Sequence, residues 1–98
     1  PAGPNPFSTS ITVTEVFCKC HGTCTTNATL AFEDDAGNAM THGTLTCADA
    51  PTLGKVSVSA GGVLTAGESV RFDVTNTPDP ATDTYEIGYL YTVAGLDG

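Results

Sequence analysis

The chain has no tryptophan and no glutamine, a single methionine, and only three cations, Lys19, Lys55 and Arg71, among its 98 residues. Three scattered positive charges cannot neutralise a track of phosphates, which argues against a nucleic-acid partner. They also supply no basic patch for an anionic membrane surface. No apolar run approaches the ~20 residues that a bilayer-spanning helix needs. Gln, Lys, Arg, Glu and Met together contribute few residues, and no segment repeats its apolar positions at i, i+3, i+4 and i+7 over three turns. Almost no helix is expected. Catalytic material is equally thin. His21 and His42 are the only histidines, no Gly-x-Ser-x-Gly elbow occurs, and no glycine-rich phosphate loop leads into a helix. The expectation is a protein that is not an enzyme, with no catalytic residues, no cofactor, and neither nucleic acid nor membrane among its partners.

What the chain does have is acid and β-forming bulk. Eleven carboxylates against three cations give a net charge of −8, yet 40% of residues are hydrophobic and these alternate cleanly, unlike a disordered chain. Threonine is the commonest type, with 17 copies, and Val, Ile, Tyr and Phe supply much of the remaining bulk. Such side chains suit a pleated, half-buried surface. Eleven glycines and six prolines punctuate the chain at short intervals.

Period-two segments are easily placed. Ile11 and Val13 alternate with Thr12 and Thr14, and then Val16 and Cys18 change parity, which predicts a bulge or bend near Glu15. Leu30 and Phe32 mark a second strand, followed by a hairpin loop at Asp34-Asp35-Ala36-Gly37-Asn38 and a return through Met40, Leu45 and Cys47. Val56 and Val58 define another strand, and Val63-Leu64 makes a brief contact after Gly61-Gly62. Val70, Phe72 and Val74 face inward on the next. Tyr85, Ile87, Tyr89, Tyr91 and Val93 share a face of the last, which as an edge would invite another chain and as a central strand would not.

Six to eight short strands at this spacing predict one all-β domain, an antiparallel β-sandwich or jelly roll. Residues 1–9 form an extended Pro-rich arm, residues 10–94 the sandwich and residues 95–98 a tail. The arm holds three of the six prolines. Pro4, Pro6, Phe7 and the adjacent Ile11 are the candidate contacts with neighbouring subunits. A leader cleaved before Pro1 and a trimmed initiator Met both remain open.

Cys18, Cys20 and Cys24 crowd into one heptapeptide and Cys47 stands apart. Four cysteines allow three pairings. A ring between Cys18 and Cys20 is awkward, which leaves 18–24 with 20–47, or 18–47 with 20–24. The rival is a Zn²⁺ site drawn from Cys18, Cys20, His21, Cys24 and Cys47, although the spacing is not that of paired Cys-x-x-Cys knuckles. Disulfides imply a destination outside a reducing cytosol. The acidic corner at Glu33, Asp34 and Asp35, and Asp79 and Asp83 around the proline loop, read as solvated. Asn27-Ala28-Thr29 matches a glycosylation triplet.

From Leu64 to Val93, a turn with Ala66, Gly67 and Glu68 runs into Val70, Phe72 and Val74, then a polar loop and an alternating strand. This third of the chain resembles the last two strands of small sandwich modules in bacteriophage virions, of the capsid-decoration and tail-fibre kinds. The resemblance implies a virion-surface, non-catalytic cementing role, with other virion subunits and further copies of the chain as partners. Phage proteins reach the outside by lysis, so no secretion leader is required. The arm and cysteine cluster also resemble extracellular filament subunits such as spore appendages, where sulfur links would join chains. A third expectation is a secreted module that holds a sugar or Ca²⁺ in its loops.

Overall fold

The computed structural model describes the backbone of residues 3–4 and, in full, residues 10–76 and 83–93. Its elements are all strands: β1 (Gly3–Pro4), β2 (Ile11–Cys20), β3 (Thr29–Glu33), β4 (Thr41–His42), β5 (Leu45–Thr46), β6 (Gly54–Ala60), β7 (Val63–Leu64), β8 (Ser69–Val74) and β9 (Tyr85–Val93). They form two antiparallel sheets packed as a small β-sandwich, as the alternation predicts. One sheet runs β1-β8-β3-β5; the other is built on β2.

β2 organises the second sheet. On one flank it pairs with β6 through Glu15–Cys18 and with β7 through Ile11–Thr12, so these two lie end to end. On the other flank it pairs with β9 along its whole length, from Ile11↔Val93 to Cys20↔Tyr85. The register shifts between Val13 and Glu15, where the sequence changes parity. The bulge returns Val16, Cys18 and Cys20 to the inward face that Ile11 and Val13 already occupy. These five residues are buried together with Ala28, Leu30, Phe32, Met40, Leu45, Cys47, Leu64 and Val70.

Ile11 is therefore not a subunit contact. It is 1% exposed and belongs to the core, because the inward row of β2 begins at that residue. Of the other arm candidates, Pro4 lies in β1, where its backbone sits opposite Ser69 of β8 in the same chain. Pro6 and Phe7 lie outside the described residues.

The return from the Asp34 hairpin is more broken than alternation suggests. Met40 N–H donates to Phe32 O at 2.9 Å, after which Thr41–His42 crosses to pair with β6, and Leu45–Thr46 comes back to pair with β3. His42 bridges this gap. Its Nε2 accepts the Phe32 amide at 3.1 Å while its Nδ1 donates to Gly43 O at 2.6 Å, so the imidazole stands where a strand would continue the ladder. Its ring meets Phe32 edge-on, and Phe72 packs against the same phenyl.

Two turns show why their residues are there. In the hairpin, Asp34 Oδ1 accepts from Ala36 N–H at 3.0 Å and Asn38 N–H at 2.8 Å, while Gly37 takes a φ of 88° without a Cβ penalty. In the Ala66-Gly67-Glu68 turn, Glu68 Oε1 accepts from both the amide and the hydroxyl of Thr65, each at 2.7 Å. The motif that carried the phage resemblance is thus a side-chain-closed turn feeding an amphipathic strand.

Phe32 is the largest fully buried side chain, so Phe32→Ala should lower unfolding free energy by about 3–5 kcal/mol in urea titrations. Asp34 supplies a pH signature. Its bonds, that from the Asn38 amide foremost, hold the carboxyl below its ordinary 3.8. A carboxyl whose folded pKa is depressed contributes above the unfolded value and loses that contribution as pH falls through the folded one. Asp34→Ala should flatten the acid limb of stability between about pH 5 and pH 2, and NMR titration of Asp34 in the intact chain should give a midpoint below 3.8.

Candidate functional site

Chemistry gathers where β2 ends. Cys18 and Cys20 occupy consecutive inward positions and are fully buried. Cys18 reaches across the sandwich to Cys47, just past β5, in a bridge with a Cα–Cα distance of 4.6 Å. Cys20 closes on Cys24 in the following loop, with Cα atoms 5.8 Å apart. Of the two schemes that spacing leaves open, the chain adopts 18–47 with 20–24. The inward row decides it: Cys18 lies one pleat deeper and faces the other sheet, whereas Cys20 lies at the strand end beside the loop.

All four sulfurs are consumed, and the chain holds no free cysteine. The proposed zinc set is correspondingly dispersed. Cys20, Cys24 and Asp49 bring ligand atoms within 4.8 Å of one another, but both sulfurs are bonded to each other and offer no thiolate in this form. His21 points elsewhere, with Nδ1 3.1 Å from Glu86 Oε2 on the exposed surface.

The loop after Cys20 is held by acceptors that the sequence does not advertise. Asp49 Oδ1 accepts from Cys24 N–H at 3.1 Å and from Asn27 Nδ2 at 3.0 Å. The same Asn27 nitrogen donates to Cys47 O at 2.7 Å. Asp83 takes Thr25 N–H on one oxygen at 2.7 Å and Thr26 N–H on the other at 3.0 Å. Tyr85 hydroxyl donates to Thr26 O. Backbone bonds complete the frame: Cys20 N–H to Ala48 O, His21 N–H to Thr84 O, and Ala50 N–H to Gly22 O.

This corrects two readings. Asp83 is not a solvated rim residue of the proline loop; it clamps a segment 57 and 58 positions earlier, where no local pattern could reveal it. Asn27 is half-buried and spends its amide nitrogen on Cys47 and Asp49, so a glycan on that nitrogen would break the frame. Asp79 lies outside the described residues. Asp34 and Asp35 stay at the surface, with the Asp34 carboxylate already committed to its own turn.

The second notable surface is β9. It takes one flank of β2, which is its strand partner among the described residues. Its inward row, Tyr85, Ile87, Tyr89 and Val93, packs on the core while remaining partly open. Leu90 and Tyr91 are 56% and 40% exposed. On the outer face Phe17 covers Gly88, where an added Cβ would stand 2.5 Å from the ring. Comparison with family models, with curated proteins and with solved structures finds no match.

Replacing Cys18 and Cys47 together by alanine should cost about 3–4 kcal/mol by chain entropy, against about 2 kcal/mol for the short Cys20–Cys24 ring, as read from urea unfolding. Asp83→Ala strands two amide donors and should cost about 1–3 kcal/mol. It should also make dithiothreitol reduce Cys20–Cys24 faster, with the Cys18–Cys47 rate unchanged.

Proposed function

We propose that the chain is a non-enzymatic structural subunit of a bacteriophage virion, a decoration or fibre component that works at the particle surface outside a reducing cytosol. The observation that carries this reading is the closure of all four cysteines within one chain, around a small core and a clamped loop. Covalent closure substitutes for core volume that a domain of this size lacks. With every sulfur spent internally, attachment to neighbours falls to non-covalent surfaces. On this reading the module is attached without sulfur links, unlike a filament whose subunits are joined by them.

Two kinds of surface serve that attachment. Some outward positions, Thr12 on β2 and Ser57 and Ser59 on β6, are small and uncharged, so they pack against another protein at small desolvation cost. The arm supplies the other. Its Gly3–Pro4 ladder to β8 uses backbone groups that β8 could equally offer to the arm of a neighbour.

The test is chemical first and then biological. Two bridges remove two hydrogens each, so the intact oxidised chain should weigh four hydrogens less than the reduced one and run as a single monomer band on a non-reducing gel. A covalent ladder would transfer the reading to a crosslinked filament. Antibodies raised against the folded domain should then label phage particles in immunogold microscopy. Deleting residues 1–9 should abolish that incorporation while leaving both disulfides formed.

A further inference from the structure

Three ligand-bearing side chains converge where the loop after β2 meets the segment after β5. Cys20 Sγ, Cys24 Sγ and a carboxylate oxygen of Asp49 lie within 4.8 Å of one another, and among the described residues no other three His, Cys, Asp or Glu side chains are so grouped. With the bridge closed, the two sulfurs hold each other. The backbone that carries them is fastened independently of that bond. Cys20 N–H donates to Ala48 O at 2.7 Å, Cys24 N–H to Asp49 Oδ1 at 3.1 Å, and Ala50 N–H to Gly22 O at 2.9 Å. The next two amides, of Thr25 and Thr26, are held by Asp83. Opening the bridge therefore leaves two thiols and a carboxylate facing one another on a held frame. The two bridges also differ in access. Cys18 and Cys47 are both fully buried, whereas Cys24 is half-buried, so a reductant reaches Cys20–Cys24 first.

We infer that the Cys20–Cys24 bridge is the closed form of a zinc site: once it is reduced, with Cys18–Cys47 intact, Cys20, Cys24 and Asp49 bind one Zn²⁺, and water fills the fourth position. The donor set selects the metal. Two thiolates and a carboxylate suit four-coordinate, borderline-soft Zn²⁺, whereas Ca²⁺ and Mg²⁺ take six or more oxygens. Tetrahedral Zn²⁺ puts such ligand atoms roughly 3.5–3.8 Å apart, so the carboxylate stands near its place and the sulfurs have only to part. Asn27 supplies the outer support. Its Nδ2 lies 3.6 Å from Cys20 Sγ and 3.0 Å from Asp49 Oδ1, so one amide nitrogen orients a sulfur and a carboxylate ligand. Both hydrogen bonds to the Asp49 side chain fall on Oδ1, and a carboxylate has lone pairs on two oxygens to offer a cation. Cys18 and Cys47 stay bonded and His21 faces Glu86, so none of these three takes part. The net charge of −8 draws cations to the chain. The site stands on the geometry of this loop and does not depend on the virion reading.

A water-soluble phosphine opens the bridge: it adds to one sulfur, water cleaves the adduct, and the products are two thiols and a phosphine oxide. A dithiol does the same by closing its own disulfide. Zn²⁺ then displaces one proton from each thiol. In the test, the full oxidised chain is treated with limiting phosphine, and alkylation with peptide mass mapping identifies the opened bridge. Zn²⁺ is titrated by calorimetry and Co²⁺ by absorption, where thiolate ligation gives a charge-transfer band that oxygen ligands do not. The expected result is one metal per chain with a Kd at or below about micromolar, two protons released, and Cys20 and Cys24 shielded from alkylation. The oxidised chain should bind about a hundredfold more weakly or not at all. Asp49→Asn keeps an oxygen for the Cys24 amide and removes the charge, and should weaken Zn²⁺ about tenfold or more. Asp35→Asn, at an exposed position, changes net charge equally and should have little effect. No Zn²⁺ uptake at micromolar concentration overturns the inference. So does uptake that is indifferent to Asp49→Asn, uptake that needs all four cysteines reduced, or simultaneous opening of both bridges. Zinc uptake by a chain that is found on no phage particle keeps this inference and removes the virion reading instead.

Discussion

The bond between Cys18 and Cys47 joins the sandwich across its middle. Cys18 belongs to the strand that every other strand of its sheet either flanks or reaches through β6, and Cys47 closes the segment that has just paired with β3. Both residues are fully buried, so the bridge replaces part of the apolar core rather than decorating the surface. In a chain this short, burial alone leaves little margin over the entropy of ordering the backbone. A covalent tie shrinks the unfolded ensemble instead of adding contacts to the folded one, which is the economical remedy when no more core can be built.

That tie has a consequence for the strand next door. Cys20 follows Cys18 by one pleat, and its bond to Cys24 turns the chain back over the end of the sheet. The loop so formed is fastened to the start of β9 by Asp83, by the Tyr85 hydroxyl and by the His21–Thr84 backbone bond. β9 is also held along its length by β2, and its inward row packs on the core. The sulfur loop thus fixes the register and direction of β9. Stability chemistry and surface presentation are two effects of one knot of residues.

Sequence patterning carried the argument a long way for particular physical reasons. Side-chain alternation is local, so the strands at 11–20, 29–33, 54–60, 69–74 and 85–93 could be read from it. The parity change after Val13 is a local consequence of the bulge and was visible too. What alternation cannot report is which sheet receives a short piece. Thr41–His42 and Leu45–Thr46 are two residues each, too brief to show a period, and they go to opposite sheets. Pairing of the cysteines depended on depth along the inward row, and spacing allowed two schemes. Asp83 clamping Thr25 and Thr26 is a contact between distant segments with no compositional trace. Ile11 was misplaced because adjacency to the arm suggested a surface role, whereas the inward row had already begun.

The acidic character of the chain takes on meaning when set against where the charges are. Glu33 is bridged by Arg71 at 3.6 Å across β3 and β8, Asp34 and Glu68 are absorbed by turns, and Asp49 and Asp83 by the sulfur loop. Much of the negative charge is thus spent on backbone amides at the turns and the loop. The strands carry others: β2 has Glu15 and Lys19, β8 has Arg71 and Asp73, and β9 has one carboxylate in nine positions. A net charge of −8 makes copies of the chain repel at long range, which discourages random aggregation.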